Sequence, residues 1–263
     1  MNVSPHLNVA VRAARSAGRE ALMFFKHRHD LTIEAKGACD FVTEADTTVE
    51  KEVIRQLHKA YPNYGILAEE SSRKQPQAGW RWIIDPIDGT TNFIHGLPHF
   101  AISIALANDN ELHAAVVFNP ATDELFTAER GRGAFLNGQR LRVTRSNRLD
   151  QSLLATGFPI NNPERTRKHM PIVSALLVPS RGIRRLGSAA LDLAFVASGR
   201  YDGYWEPGLN PWDIAAGVLL VLEAGGLVTD FDGEQHYLDS GNIVAASPTI
   251  HRLMLTTIQS AWG

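Results

Sequence analysis

The sequence predicts a mixed α and β fold, in which two helices lead into an antiparallel N-terminal sheet and an α/β C-terminal half follows. Three observations carry that expectation. Two amphipathic segments lie ahead of Pro62. Strand-like runs parted by turn-forming clusters fill the stretch from Phe100 to Val143. From Asn147 onward, strand-length and helix-length segments alternate, as they do in layered α/β proteins. A chain of 263 residues, 44% hydrophobic and 21% charged, can bury a sizeable core, which excludes a disordered, collagen-like or fibrous protein.

The first helix is marked by Leu7, Val11, Ala14, Ala17, Ala21, Leu22 and Phe25, which recur at spacings of three and four with arginines between them. A second starts near Thr43, runs through Val49, Val53 and Leu57, and stops ahead of Pro62. Ile66–Ala68 and Trp82–Ile84 are too brief for helices and suit buried strands. Ala101–Ala107, Leu112–Phe118 and Leu125–Ala128 read as strands of a meander. Asn137-Gly138, set between Ala134–Leu136 and Arg140–Val143, is a two-residue hairpin signal.

Next come a strand at Leu153–Thr156, a helix at Arg165–Leu177, a strand at Gly182–Leu186 and a helix at Ser188–Ala197. Tyr201–Trp205 reads as strand and Trp212–Ala224 as helix, followed by strands at Gly226–Thr229 and Ile243–Ala246 and a closing helix at Thr249–Ala261. The change of texture divides the chain softly into residues 1–147 and 148–263, with no linker composition at the join and no internal repeat.

A single cysteine, Cys39, cannot form an internal disulfide or a thiolate zinc cluster. The N-terminal MNVSPHLNVAVRAARSAG lacks the apolar core of a signal peptide, and no stretch approaches membrane-spanning length. A cytoplasmic protein without membrane contact is the expectation. The formal net charge of −2 argues against nucleic-acid binding, yet it hides an uneven distribution. Residues 130–185 hold 12 Lys and Arg against two acids, Asp150 and Glu164, leaving 14 basic and 26 acidic residues elsewhere. Such asymmetry points to separate dealings with anions and cations.

The most informative segment runs from Trp82 to Phe93, where an apolar strand leads into Asp85 and Asp88 around Pro86. Proline fixes its own φ and biases Asp85 toward extended geometry, so both carboxylates are aimed in a set direction. Gly89-Thr90-Thr91 can open a short helix, whose free N–H groups suit a phosphate. Carboxylates beside such groups suit Mg²⁺ shared with a substrate phosphate. An Asx-turn with a helix cap accounts for the same residues without chemistry. Glu69-Glu70 at a strand end meets solvent in the ordinary case. Asn210, Pro211 and Asp213 fit helix capping, as do Thr43 and Asp46. What weighs against these plain explanations jointly is that every acid lies at a strand end or helix start, where side chains can converge. His95 and His99 flank the loop and read as structural, imidazole being a poor Mg²⁺ ligand.

Trp82–Phe100 (WIIDPIDGTTNFIHGLPHF) and Trp212–Gly226 (WDIAAGVLLVLEAGG) closely resemble the two signatures of the inositol monophosphatase family. Asp40–Asp46 (DFVTEAD) and Leu67–Ser71 (LAEES) look like its two further acidic motifs, in the expected order. The resemblance implies a layered α-β-α-β-α sandwich of the sugar-phosphatase type and a Mg²⁺-dependent phosphatase of inositol monophosphates. It implies that Glu69, Asp85 and the carbonyl of Ile87 hold one Mg²⁺, and that Asp85, Asp88 and Asp213 hold a second, with a weaker third ion through Glu69 and water. By the same resemblance the N–H groups of Gly89 and Thr90 bind phosphate. Thr90, positioned by Asp46, works with Glu69 on the attacking water.

Leaving-group contacts fall to Gly187, Ser188, Ala189, Glu206 and Asp213 by this resemblance, and Arg184 reaches either the substrate or a subunit contact, unless it is merely solvated. Lys36 stands where the family often has a basic residue near the site, and Ala68 replaces a common glycine. The family resemblance also implies a homodimer and inhibition by Li⁺. Two alternatives stay open. One is a phosphatase of another small phosphate, such as histidinol phosphate, a sugar bisphosphate or 3′-phosphoadenosine 5′-phosphate. The other is an added role as an RNA polymerase-associated antitermination factor, served by the basic 130–185 region.

Overall fold

The computed structural model describes residues 3–30, 33–37, 40–71 and 79–262, with the backbone alone at residues 30, 33–37 and 40–42. Cys39 and the Lys36 side chain lie outside the described part.

Helix α1 (Pro5–Lys26) begins at Ser4, whose hydroxyl accepts the Leu7 N–H at 3.2 Å, with Pro5 in the first turn where no N–H is needed. Its alanine-rich face, Ala10, Ala13, Ala14, Ala17 and Ala21, is buried, and a Cβ on Gly18 would collide with the Phe118 ring. That small face lets the helix press closely on the sheet beneath. A short antiparallel pair, β1 (Ile33–Gly37) and β2 (Asp40–Thr43), leads into α2 (Glu44–Ala60). Thr43 and Asp46 form the reciprocal capping box that the sequence predicted.

The first large sheet is ordered β3 (Gly65–Ala68), β4 (Trp80–Asp88), β5 (Ala101–Asn108), β6 (Glu111–Asn119), β7 (Glu124–Glu129), β8 (Gly133–Leu136) and β9 (Gln139–Arg140). It is antiparallel from β4 to β9, and β3 joins β4 in parallel. The Asn137-Gly138 hairpin forms with both residues at positive φ, 47° and 82°. The run predicted to Val143 stops at Arg140, because the Val143 N–H leaves the sheet to bond the Ala224 carbonyl at 3.2 Å.

The second sheet is ordered β11 (Gly182–Arg184), β10 (Leu153–Thr156), β12 (Gly203–Glu206), β14 (Ile243–Ala246) and β13 (Leu227–Thr229). It is parallel across β11, β10 and β12, and antiparallel beyond. The helices around it are α4 (Pro163–Leu177), α5 (Ala189–Ala197), α6 (Pro211–Glu223), the short α7 (Tyr237–Ser240) and α8 (Pro248–Trp262).

Three cores order these elements into layers. Val49, Val53 and Leu57 of α2 pack with the α1 alanines onto Trp82, Ile84, Ile102 and Val116. The opposite face of that sheet, with Ile83, Val117 and Phe126, packs on Leu193, Val218 and Leu219 of α5 and α6. That helix pair also covers Ala155, Tyr204 and Ala245 of the second sheet. On its far side Leu154, Trp205 and Val244 meet Ile172 of α4 and Met254 of α8. The α-β-α-β-α sandwich expected from the sequence is the fold that forms.

Candidate active site

Asp85 and Asp88 end up on one face because of an irregularity in β4. Asp85 pairs with Ser103 but Asp88 pairs with Ala101, so three residues on β4 oppose two on β5. Strict alternation would send residues three apart to opposite faces. The extra residue of the bulge restores them to the same side and turns Ile87 into the core under α2. Pro86, which has no N–H to give the ladder, sits inside this bulge. The strand therefore extends through the segment read from the sequence as a loop.

Asp85 is 2% exposed, and its Oδ1 has no hydrogen-bond partner. Burial, followed by the charges of Glu69, Asp88, Asp213 and Asp46, pushes its carboxyl well above the usual range. Asp88 is also buried, yet it is held. Its Oδ2 accepts the Ser188 hydroxyl at 2.5 Å and the Ala190 N–H at 2.7 Å, and Oδ1 accepts the Ala189 N–H at 3.3 Å. Burial raises this carboxyl to about 6, against the pull of those bonds. Asp213 at the third position of α6 accepts the Asn210 N–H at 2.6 Å. Confinement, with Asp88, Glu69 and Glu206 nearby, lifts it well above its ordinary value.

Glu69 follows β3, and its N–H bonds the Ile84 carbonyl at 3.3 Å, which ties it to β4. Asp46 is wholly buried. Its Oδ2 accepts the Thr43 N–H and hydroxyl at 2.8 and 2.6 Å, and its Oδ1 faces the Thr90 hydroxyl at 3.2 Å. The same Thr90 hydroxyl lies 3.0 Å from the Ile87 carbonyl.

Gly89, the cap of α3 (Thr90–Ile94), has φ of 96°. A Cβ there would lie 3.1 Å from the His99 carbonyl and 3.2 Å from that of Gly187, so the turn needs glycine. Asn92 closes the same seam, donating to the His99 and Leu186 carbonyls at 2.8 and 2.7 Å. His99 itself is packed against Phe195 and kept neutral by burial, in keeping with a structural role.

Ser188 and Ala189 thus meet the site through Asp88. Glu206 faces the same cluster, since its charge is felt at Asp213 and that of Asp88 at Glu206. Arg184 is exposed on β11, and its guanidinium donates to the Ile183 carbonyl at 3.4 Å. The basic side chain whose charge acts on Glu206 is its neighbour, Arg185. Sequence reasoning passed over Asn92, Asp192 and Tyr204. Asp192 carried a signal, being the lone acid in the apolar run Ala189–Ala197.

Residues 2–262 match the model of the inositol monophosphatase family. The chain belongs to that family. An inositol-1-monophosphatase of Mesorhizobium japonicum is 46% identical over 254 residues, covering 96% of each chain. A Nus factor SuhB of Pseudomonas aeruginosa is 48% identical over 262 residues, 98% of this chain and 97% of that one. Among solved structures, the extragenic suppressor protein suhB of Bartonella henselae superposes with a TM-score of 0.94 at 44% identity, over 97% of this chain and 99% of that one. Family membership agrees with the four motifs from which a phosphatase was expected. Among the described residues, no helix is long and apolar enough to cross a membrane.

Proposed function

We propose that this family member hydrolyses myo-inositol monophosphates to inositol and phosphate with Mg²⁺ held by its carboxylates. The observation that carries this reading is Asp85, a buried carboxyl with an unpartnered oxygen whose charged neighbours are four more acids. Such a group is costly unless a cation enters, and its hard oxygens suit Mg²⁺. Among the described residues no three His, Cys, Asp or Glu side chains are gathered into a ready cage.

On this reading Glu69, Asp85 and the Ile87 carbonyl would hold one Mg²⁺, and Asp85, Asp88 and Asp213 would hold a second, with a weaker third through Glu69 and water. When bound, the ions neutralise the phosphate, acidify the attacking water and stabilise the leaving alkoxide. The protein's own part is orientation. Asp46 has one oxygen filled by Thr43, which leaves Oδ1 to accept the Thr90 hydroxyl proton. Thr90 then turns its lone pairs outward to accept a hydrogen bond from the water. Glu69 takes the water's proton. The Gly89 and Thr90 N–H groups bind the phosphate, while Gly187, Ser188, Ala189, Arg184 and Glu206 line the side of the leaving group.

A substrate panel with Mg²⁺ titration tests the assignment, using inositol 1-phosphate, histidinol phosphate, a sugar bisphosphate and 3′-phosphoadenosine 5′-phosphate. Turnover of inositol 1-phosphate about a hundredfold slower than any other overturns it. The reading extends to Li⁺ inhibition in the same assay and to a dimeric mass by light scattering.

A second reading is favoured by the relative named Nus factor SuhB and by the basic region 130–185. It adds contact with RNA polymerase or RNA. The arginines are dispersed over several elements, and Arg130, Arg132 and Arg148 are paired with Glu111, Glu129 and Asp150. A true RNA-backbone contact weakens steeply as salt rises. Binding to polymerase or RNA that is absent at low salt removes this role.

A further inference from the structure

We propose that Tyr204 is a positioning residue that holds the Glu206 carboxyl in one orientation against the bare backbone of Gly157, making the leaving-group side selective for hydroxyl-rich alcohols. This rests on the phosphatase reading above and adds a residue that sets its specificity.

The seat comes first. Gly157 follows β10, and a Cβ placed there would overlap the carboxyl carbon and both oxygens of Glu206. The carboxyl group therefore lies flat on the glycine backbone, in space that any other residue would fill. Tyr204 stands two residues earlier on β12, so its side chain shares the face of Glu206. It is wholly buried, and its hydroxyl donates to Glu206 Oε2 at 2.5 Å. The strand between them is anchored too, because the Thr156 hydroxyl donates to the Trp205 carbonyl at 2.7 Å. With Oε2 engaged by the phenol, Oε1 is the oxygen left to accept a substrate hydroxyl.

The phenol engages one oxygen and the Gly157 backbone forms the floor, so the carboxyl has a single seat with one oxygen to spare.

The test is steady-state kinetics of wild type, Tyr204→Phe, Glu206→Gln and the double variant Tyr204→Phe/Glu206→Gln. Inositol 1-phosphate is compared with phenyl phosphate, whose leaving group bears no further hydroxyl. Tyr204→Phe is expected to raise KM for inositol 1-phosphate about tenfold, with kcat falling less, the size expected for one hydrogen bond involving a charged group. Phenyl phosphate kcat/KM should fall no more than about threefold, because nothing in it calls on Glu206. The double variant should be no worse than Glu206→Gln, since Tyr204 acts through that residue.

Equal losses on both substrates, additive losses in the double variant, or an unchanged ratio in Tyr204→Phe overturns the proposal. Removal of one oxygen leaves the packing of Tyr204 intact, and a thermal melt verifies the fold. If another hydroxyl-bearing phosphate is turned over better than inositol 1-phosphate, the substrate reading fails. The ratio is then taken with that better substrate, and Tyr204 is still tested.

Discussion

At Asp88, three donors stabilise the ionised carboxyl while burial among other acids opposes it, and the outcome is a group raised to about 6. Asp213 is held by one backbone N–H and pushed further. Replacing either with Asn preserves volume and a hydrogen-bond acceptor but removes the charge that a cation needs. Mg²⁺-dependent phosphate release should fall about a hundredfold or more in each variant, with the melting curve retained. Wild-type rates in both would falsify the carboxylate site. A second residue makes a pH prediction. His169 is buried on α4, with its Nε2 3.1 Å from the Thr156 hydroxyl, and burial lowers its pKa to about 4 from 6.5. Below 6.5 the unfolded chain binds a proton there that the native state refuses until about 4. Stability is therefore lost as pH falls through that window and regained as it rises. His169→Gln should show a shallower fall of Tm between pH 7 and 4.5 than wild type, and parallel curves would dismiss the effect.

Among the elements, the turn joining β4 to α3 concentrates the most function in the fewest residues. The bulge aligns Asp85 with Asp88, Gly89 takes φ of 96°, and Thr90 reaches back to Asp46. Gly89→Ala adds a Cβ against two carbonyls in a region that L side chains avoid, a cost of about 1–3 kcal/mol. Both Tm and phosphate release should drop together, and a variant with unchanged rate would separate the turn from the chemistry. Much of this was legible beforehand, because capping, periodicity and turn chemistry are local. The capping box at Thr43 and Asp46, the Asn137-Gly138 hairpin and the strands Leu153–Thr156 and Ile243–Ala246 all form where the residues foretell. What was not legible is what distant partners decide. β9 ends early because Val143 turns to Ala224, and β4 continues because β5 absorbs its bulge. Ser188 meets Asp88 from 100 positions away, a contact that no local pattern announces.

Taken whole, the molecule places its helix pair α5 and α6 between two sheets, and that layer decides how it unfolds. Leu193, Val218 and Leu219 pack on Val117 and Phe126 of the first half and belong to one core with Tyr204 and Ala245 of the second. Polar contacts cross the same division. Ser188 bonds Asp88, Asn92 bonds the Leu186 carbonyl, and the Glu223 carboxylate takes the Gly131 and Gly133 N–H groups at 2.7 Å each. Separating residues 1–147 from 148–263 would expose the central apolar face and orphan these groups together. The expected behaviour is one cooperative transition in urea. Tryptophans report from both sides, Trp80 and Trp82 on β4 against Trp205 and Trp262 beyond, so fluorescence should track far-ultraviolet circular dichroism along a single curve. Mg²⁺ should move that curve to higher urea without splitting it, because carboxylates from both halves face one another and a ligand of the native state stabilises all of it. Two resolved steps, with only one of them sensitive to Mg²⁺, would mean that the halves fold separately and that the ion is held by one of them alone.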